Sequence, residues 1–407
     1  MSCSENNLIT VSQAIAQIQE TLEHKADVEW LSLAEAVNKV VAADQLSTLN
    51  VPPAANSAMD GYGFNAKDLA PDQPTQLPVG LRVTAGDQPG TLPSGMAARI
   101  FTGAFIPANV DLVIPQELVK VTSDQIEVQP GWRIGQHIRN AGEDIAEGQQ
   151  VVAAGKRLRP QELGLLASVG IMQVPVYKPL TVALFTTGDE LIEPGQPLPD
   201  GKIYNSNRYT LMGLLQQGGF NIIDGGTLPD QHEATKQALL KASQQADAII
   251  TTGGVSVGEE DYVQDVIQEN GTVHLWKLAI KPGKPLLYGQ LNKKPVFGLP
   301  GNPISSLVTY LMVARPALQQ MQGLHDTHPA SYRFKANFVK KKNRSRAEYL
   351  RVQLQVHEDE QTLVAYPKQG SGVLSSASWA TGLALVPADT DVNPGDWLEY
   401  WPFNELV

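Results

Sequence analysis

Cysteine is almost absent from this chain: Cys3 is the only one among 407 residues. A lone thiol near the start excludes a disulfide framework and a cysteine-rich metal cluster, and it is poorly placed for thiol catalysis. We therefore expect a protein of a reducing compartment.

Long apolar runs and a basic leader are also missing. No stretch of about eighteen consecutive apolar residues occurs, and the first ten residues, MSCSENNLIT, contain no lysine or arginine. These absences predict a cytoplasmic protein without a membrane span.

Positive charge is in deficit. Lysine and arginine number 31 against 42 aspartates and glutamates, which gives a formal net charge of −11. Proteins that bind nucleic acid or anionic membranes need surplus positive charge for their phosphate contacts. We expect neither kind of partner.

The length of the chain predicts several domains. The pattern of apolar, Gly and Pro residues also changes several times along it. Two capping boxes, Thr10–Gln13 and Ser32–Glu35, precede apolar residues at helical spacing and predict two opening helices. Short β-branched runs cut by Gly and Pro predict a β-rich module from about Val51. A short helix with Pro160 at its first position follows it.

Between about residues 180 and 322, strands that are apolar on both faces, such as TVALFTT and ADAIITT, alternate with helices. This alternation predicts a parallel doubly wound sheet. The remainder alternates at period two around an Asn-Pro-Gly turn at Asn393, which predicts a small C-terminal β domain.

Three predicted strands of the α/β segment end in glycine-containing turns: TTGDE, TTGGVSVGEED and GLPGNPISS. Carboxyl ends of parallel strands share one edge of a sheet, where glycine lets the backbone approach a ligand and helix N-termini favour anions. We therefore predict one shared substrate site there. Its candidate residues are Gly253, Gly254, Ser256, Gly258, Pro300, Gly301, Asn302, Pro303 and Ser305.

Carboxylates crowd the same turns. Glu190, Asp230 and Asp261 each follow a predicted strand end. A divalent cation would reconcile them with an anionic ligand, because Mg²⁺ takes carboxylate, phosphate and water oxygens together. The alternative is that these residues only cap the next helix, and for any one of them taken alone that interpretation is favoured.

A compact basic stretch, LWKLAIKPGKPLLYG, complements these acids. Lys277, Lys281 and Lys284 lie among apolar, Pro and Gly residues and predict a concentrated positive site for an oxyanion. A solvated charge run is the alternative, and it fits poorly because the stretch has no acidic residue.

Two motif matches fail on their context. GVSVG fits the nucleophile elbow with Ser256 as nucleophile, yet three acids follow it directly where an oxyanion would need stabilising, so a hydrolase remains an outside alternative. KPGKP lacks the spacer and the Ser or Thr of a Walker A loop, which argues against a kinase or ATPase.

Seven stretches together carry a family resemblance that covers nearly the whole chain in order: NSAMDGYGF, RIFTGAFIP, GQHIRNAGEDI, FTTGDEL, TTGGVSVGEEDY, KLAIKPGKP and GLPGNPISS. They resemble the molybdopterin molybdenumtransferase family, which includes MoeA and the gephyrin E-domain. Gly63 departs slightly, since MDGYA is usual at that place.

The resemblance implies a multidomain α/β plus β architecture. It comprises a discontinuous helical and β first domain (1–50 and 146–178), a β-rich inserted domain (51–145), a MogA-like molybdopterin-binding α/β domain (179–327) and a C-terminal β-barrel (328–407).

The resemblance also implies a reaction in which adenylylated molybdopterin and molybdate give molybdenum cofactor and AMP, with Mg²⁺ as the required metal. Acidic and hydroxyl positions of the family's cleft match Asp60, Thr102, Asp144, Glu190, Asp230 and Asp261. Its anion-handling positions match Lys277, Lys281, Lys284, Ser305, Arg351 and Ser371.

The family further implies a homodimer in which Asp60, Thr102 and Asp144 act across the subunit interface. A MogA-type adenylyltransferase and acceptor molybdoenzymes are the implied partners. A scaffold on the same fold, and an adenylyltransferase or phosphohydrolase acting on another pyrophosphate, are the alternatives.

Overall fold

The first domain is built from two separate stretches of chain. The computed structural model describes residues 8–22, 26–122, 124–254, 262–342, 345–357 and 360–406. In this domain two antiparallel strand pairs and a helix enclose a core that contains Val41, Leu158, Leu166 and Val176. The elements are β1 (Val28–Ser32) with β13 (Gln173–Tyr177), β2 (Gln45–Leu46) with β12 (Gln150–Val152), and α2 (Pro160–Ser168).

The prediction of a second opening helix is wrong. The Ser32 hydroxyl does donate to Glu35 Oε2 at 2.6 Å, but Ser32 ends β1 and residues 33–35 form a turn. Val40 and Val41 lie in β-bridges to Arg157 and Val176. Pairing with distant chain therefore overrides the helical spacing of these apolar residues.

The inserted β-rich domain is confirmed. It holds a four-stranded sheet in the order β6-β7-β4-β8, a three-stranded sheet in the order β5-β10-β9, and the pair β3 and β11. The strands are β3 (Asn56–Ser57), β4 (Gly61–Phe64), β5 (Thr75–Leu77), β6 (Val79–Val83), β7 (Ala97–Ile100), β8 (Leu112–Pro115), β9 (Val119–Val121), β10 (Ile126–Val128) and β11 (Ile138–Arg139).

The α/β domain contains a six-stranded sheet in the order β17-β14-β18-β22-β21-β19. Its strands are β14 (Thr181–Thr187), β17 (Asn221–Leu228), β18 (Ala248–Thr252), β19 (Gly271–Lys277), β21 (Pro285–Leu291) and β22 (Lys294–Leu299), and a small side pair is formed by β15 (Leu191–Ile192) and β16 (Ile203–Tyr204). Alternate residues of β18 face opposite cores: Ile250 packs in one and Ile249 in the other.

Helices cover both faces of this sheet, so the doubly wound prediction is confirmed. They are α3 (Ser206–Gln217), α4 (His232–Gln245), α5 (Tyr262–Asn270), α6 (Pro303–Thr309) and α7 (Arg315–Met321), with a π-helical turn over Tyr310–Ala314 between the last two. Helix α1 (Val11–Thr21) starts at the predicted Thr10 capping box. Its buried Ala14 and Ile18 pack in the α/β core.

The sheet is mixed, which corrects the prediction of an all-parallel one. Strand β21 runs antiparallel to β19 and β22 and was not predicted. It is joined to β22 by Asn292 and Lys293, whose φ angles of 50° and 63° are those of a tight hairpin turn. An antiparallel hairpin thus replaces a crossover at this edge.

The C-terminal domain is a closed barrel in which β24-β25-β23-β27-β26 returns to β24. Its strands are β23 (Tyr332–Ala336), β24 (Ala347–His357), β25 (Glu360–Ala365), β26 (Gly382–Val386) and β27 (Trp397–Pro402), and its helices are α8 (Ser375–Trp379) and α9 (Phe403–Leu406). Strand β20 (Ile280–Lys281) of the α/β segment pairs in parallel with β24 and joins the two domains. Among the described residues no helix is long and apolar enough to cross a membrane.

Candidate functional site

The carboxyl ends of three neighbouring strands touch at Gly253. Its N–H donates to Leu299 O at 3.0 Å, and its φ is 85°. A Cβ on this glycine would lie 2.5 Å from Thr187 Oγ1 and 2.9 Å from Thr187 O. The ends of β14, β18 and β22 therefore approach one another as the parallel topology predicts, and only glycine permits the approach.

The turn after β22 completes this edge. Pro300 is buried, Gly301 is exposed, Asn302 precedes α6 and Pro303 is its first residue. Gly301 lies against Gly253, since a Cβ on Gly301 would be 3.8 Å from the Gly253 Cα. Gly254, with φ 64°, continues the facing turn. The predicted residues Ser256, Gly258 and Asp261 lie outside the described residues.

Carboxylates gather at the ends of β14 and β17, which are adjacent parallel strands. Asp230 Oδ2 accepts from the Asp189 N–H at 3.1 Å, and Asp189 Oδ1 accepts from the Asp230 N–H at 3.3 Å. The Glu190 carboxylate folds back over Gly188, where a Cβ would lie 2.8 Å from Glu190 Cδ. The structure thus brings the predicted Glu190 and Asp230 to one edge and adds Asp189, which the sequence interpretation passed over although it precedes Glu190.

Oxygen donors of this kind suit a hard cation such as Mg²⁺. Within the described part of the chain, no cationic side chain forms an ion pair with Glu190 or Asp230. No group of three or more His, Cys, Asp or Glu side chains that could hold a metal occurs there either. The donor chemistry fits a magnesium ion, and the predicted three-carboxylate set stays a prediction.

The basic turn is anchored by an acid that the sequence interpretation missed. Glu348 on β24 is buried, and its carboxylate pairs with Lys281 at 3.2 Å and Lys340 at 2.9 Å. Burial alone would raise the pKa of Glu348, but the two ammonium groups outweigh it and hold that pKa below its usual value. The Lys281 side chain remains 44% exposed, while Lys277 ends β19 and Lys284 is exposed.

The lysine turn packs directly over α6. Gly283 has φ 110°, and a Cβ there would lie 2.7 Å from Thr309 Cγ2 and 3.5 Å from Ser305 O. Ser371 from the barrel reaches the same place, because its carbonyl accepts from the Ile304 N–H at 2.9 Å. The predicted Lys281, Lys284, Ser305 and Ser371 are therefore neighbours, although they come from two domains.

Arg351 supports this group from the outer face of the barrel wall, since its strand neighbours Leu350 and Val352 face the barrel core. It is 1% exposed, and its guanidinium donates to Ser376 Oγ at 3.0 Å and to the carbonyls of Tyr349 and Gly370 at 3.2 Å. Burial lowers its pKa to about 10. In this arrangement Arg351 fixes the loop before Ser371, whereas the sequence interpretation had it handle the anion directly.

The inserted domain carries a separate group of candidate residues. Asp60 Oδ1 accepts from the Thr102 N–H at 2.8 Å and from the Thr102 hydroxyl at 2.7 Å. The backbone bond, then the hydroxyl bond, hold the pKa of Asp60 below its usual value, with a smaller contribution from Arg99. Both residues are exposed. Two candidate positions that are distant in sequence are thus in hydrogen-bond contact.

Asp144 lies in a cleft of about 480 Å³ in the same domain. The cleft is also lined by Glu143, Arg139 and Asn56. The Asn56 Oδ1 is buried, and no described residue donates a hydrogen bond to it. Arg139 was missed by the sequence interpretation, although IRNAGEDI places it close to Asp144. Among the described residues, no hydrogen bond or ion pair joins Asp60, Thr102 or Asp144 to the strand-end residues.

Sequence comparison assigns this architecture to a known family. A molybdopterin molybdenumtransferase from Haemophilus influenzae is 38% identical over 405 residues, which covers 98% of this chain and 100% of the relative. This chain belongs to the molybdopterin molybdenumtransferase (MoeA) family. A relative of the same name from a Nostoc species is 36% identical over 74% of this chain and 71% of its own length.

Family models agree with this membership along the chain. Residues 9–170 match the MoeA N-terminal region (domain I and II), residues 183–320 match a probable molybdopterin binding domain, and residues 334–403 match the MoeA C-terminal region (domain IV). Two crystal structures of a molybdopterin biosynthesis MoeA protein from Pyrococcus horikoshii are 28% and 30% identical, with TM-scores of 0.83 and 0.79. They cover 97% and 98% of this chain, and it covers 100% and 99% of theirs.

Proposed function

We propose that this chain is an enzyme, a molybdopterin molybdenumtransferase, which inserts molybdate into adenylylated molybdopterin and releases AMP to give molybdenum cofactor. The observation that carries the proposal is the packing of the Lys281–Lys284 turn over Ser305 and beside Ser371. This packing brings the chain segments that carry the two lysines and the two serines together, in a domain matching a probable molybdopterin binding domain.

Molybdate is a tetrahedral dianion, so it needs positive charge and directional donors. Lys277, Lys281 and Lys284 supply the charge, since an ammonium group is a compact point charge with three donors. The hydroxyl groups of Ser305 and Ser371 supply directional donors. Arg351 contributes indirectly. Its guanidinium donates a hydrogen bond to the Gly370 carbonyl and so positions the adjacent Ser371.

Glu190 and Asp230, with Asp261, are the proposed ligands of Mg²⁺. When bound, the ion would withdraw negative charge from the phosphoanhydride of the adenylylated pterin. The glycine turns at Gly253, Gly254 and Gly301 let the backbone approach the substrate's phosphates. A protein thiol has no part in this scheme, since the one cysteine is Cys3.

A homodimer completes the proposal. Asp60, Thr102 and Asp144 lie in the inserted domain and make their contacts there. We assign them to the active site of a partner subunit, together with Arg139, which lines the cleft beside Asp144. The protein would work in the cytoplasm between a MogA-type adenylyltransferase and acceptor molybdoenzymes.

The decisive assay supplies the full chain with adenylylated molybdopterin, molybdate and Mg²⁺, and measures AMP together with reconstitution of an apo-molybdoenzyme. We expect both products from the unaltered protein. Asp230→Asn should abolish AMP release and leave molybdate binding intact, because the carboxylate acts on the pyrophosphate side.

Asp200→Asn is the matched control, since Asp200 is an exposed carboxylate in a nearby loop. Product formation without AMP, or AMP release independent of molybdate, would point to the adenylyltransferase or phosphohydrolase alternative. Binding of pterin without turnover would point to the scaffold alternative.

A further inference from the structure

A second cavity lies at the opposite edge of the α/β sheet from the strand-end turns. Its volume is about 400 Å³. The lining includes Phe220, which directly precedes β17, and the end of α3, so it adjoins the amino-terminal edge of the sheet. We call it the junction cavity and define it by Asn38, Arg157, Phe220, Arg315, Asp326 and Glu405.

Three parts of the chain meet around the junction cavity. Asn38 and Arg157 come from the first domain, Phe220 and Arg315 from the α/β domain, and Glu405 from the end of the described chain. Any ligand held here would contact all three parts. The cavity is therefore placed to link the first domain to the α/β domain.

Two guanidinium groups line the junction cavity, and neither forms an ion pair with another of the described residues. Arg157 Nη1 donates to Asn38 O at 2.9 Å, and Arg315 Nη2 donates to Glu405 O at 3.0 Å. Arg315 Nη1 is buried and has no hydrogen-bond partner among the described residues. Among the described residues no carboxylate lies within ion-pair distance of either side chain.

The pKa values of Arg157 and Arg315 are shifted in the direction expected for such partly buried guanidinium groups. Burial lowers the pKa of Arg157 and, more than any other influence, that of Arg315. The nearby Arg157 lowers the pKa of Arg315 further. A third arginine of the cavity, Arg159, differs because Glu162 accepts from its guanidinium at 2.7 Å and raises its pKa.

Arg157 and Arg315 are partly buried. Removing charge from water without a partner is unfavourable, so proteins normally provide a counter-ion. A bound anion would balance the charge of both guanidinium groups. Phosphate suits this role, because a planar guanidinium group matches its oxygens bidentately. Apolar side chains, Leu214, Phe220 and Leu324, form other parts of the wall and suit an organic body. A volume of about 400 Å³ is in the range of small-molecule sites.

We propose that the junction cavity binds a small organic phosphate monoester, with the phosphate on Arg157 and Arg315 and the organic part against Phe220 and Leu214. The site lies apart from the strand-end residues and does not depend on the proposed reaction. Binding would tie the first domain to the α/β domain and would stabilise the protein by mass action.

Two carboxylates also line the junction cavity and bear on the proposal. Asp326 Oδ1 accepts from the His328 N–H at 3.2 Å within its own turn. Glu405 acts on Arg315 through space and raises the pKa of that residue. Its negative charge opposes an anionic ligand, so Glu405→Gln should tighten phosphate binding.

The test is isothermal titration of the full chain with phenyl phosphate, in chloride buffer of constant ionic strength. We expect saturable binding of one phenyl phosphate per chain, and weaker binding of inorganic phosphate, which lacks the apolar body. Arg157→Gln and Arg315→Gln should each weaken binding by about tenfold or more, since each removes a charge-assisted contact.

Arg159→Gln is the matched control, because the charge of Arg159 is already balanced by Glu162. It should change the affinity by less than about twofold, in keeping with a paired, exposed charge. Thermal melts of each variant without ligand show whether the fold is kept. Arg315→Gln should melt no lower than the unaltered protein, because it removes a partly buried charge that forms no ion pair with the described residues.

Three outcomes would overturn the proposal. The first is the absence of saturable phenyl phosphate binding, and the second is equal weakening in all three arginine variants. The third is that Glu405→Gln lowers the melting temperature and the Arg315→Gln/Glu405→Gln double variant restores it. Glu405 would then be the counter-ion of Arg315, and the cavity would need no ligand.

Discussion

The α/β domain and the inserted domain assemble their candidate residues in different ways. At the strand-end edge, Thr187, Gly253 and Leu299 meet because parallel strands must end together. In the inserted domain, Asp60 and Thr102 meet through two hydrogen bonds between loops. One site is fixed by topology, and the other is fixed by local bonds.

This difference decides which substitutions each site tolerates. A change at the strand-end edge disturbs the backbone packing of several strands at once. A change in the inserted domain alters the charge of one exposed carboxylate and leaves the neighbouring sheets in place. Four predictions test this contrast, and they follow in order of expected effect.

The largest effect should come from Lys281→Ala. We expect kcat/KM for AMP release to fall by about 100-fold or more, as when one charge-stabilising donor is removed from an active site. The fold should survive because Glu348 keeps Lys340 at 2.9 Å. Lys335→Ala, which removes a lysine paired with Glu360 on the barrel surface, is the control, and an equal loss there would contradict the assignment.

The second prediction joins the two sites across subunits. Asp60→Asn and Lys281→Ala should each be inactive, and a mixture of exchanged subunits should recover about a quarter of full activity. About half of the dimers would be mixed, and one of their two sites would be intact. Absence of recovery despite proven exchange would place the inserted domain outside the active site.

The third prediction concerns the close approach at Gly253. Gly253→Ala should lower stability by about 2 kcal/mol or more, because strain at positive φ is added to overlap with Thr187. Gly201→Ala is the matched control, since Gly201 also has positive φ (76°) but open space around it. Urea unfolding of both variants measures the difference, and equal losses would show that φ alone matters.

The smallest effect should come from Thr102→Val, which removes one hydrogen bond to Asp60. The lowered pKa of Asp60 means that its ionised form adds stability above pH 3.8, the ordinary value, and that this stability is lost as the pH falls through the lowered pKa. The variant should raise that pKa towards 3.8, so the contribution should be smaller and its loss should be complete at a higher pH. NMR titration of the Asp60 carboxyl carbon measures the change.

The same domain offers a matched control for this titration. Asp87 Oδ2 accepts from the N–H and hydroxyl of Thr84, both at 2.7 Å, and its pKa is lowered by these bonds. Thr84→Val should raise the pKa of Asp87 and leave both Asp60 and AMP release unchanged. A change in AMP release with Thr84→Val would show that the effect is not specific to the Asp60 site.

The features that could be predicted from the sequence are those set by the hydrophobic period of an element and by the topology of the parallel strands. Apolar strands such as Ala248–Thr252 and the capping box at Thr10 were identified correctly, because burial on both faces and a reciprocal cap leave local signals. The helix predicted after Ser32 failed because Val40 and Val41 pair with distant chain. Strand β21 was missed because its hairpin turn, Asn292–Lys293, lacks the usual glycine.

The candidate site was also predictable from the sequence only in part. The strand-end turns and lysines could be predicted from residue types at strand ends, whereas the positions in the inserted domain came from family resemblance alone. Burial of Arg351 and the pairing of Glu348 with two lysines depend on barrel closure, which joins residues far apart in sequence. The junction cavity, formed by three parts of the chain, leaves no local pattern.

The two-residue strand β20 has a mechanical consequence. Lys281 is backbone-paired with Glu348 of the barrel and also bonded to its carboxylate. A rotation of the barrel relative to the α/β sheet would therefore carry this ammonium group along with it. The position of the Lys281 ammonium group therefore depends on the barrel as well as on the α/β domain that carries this residue.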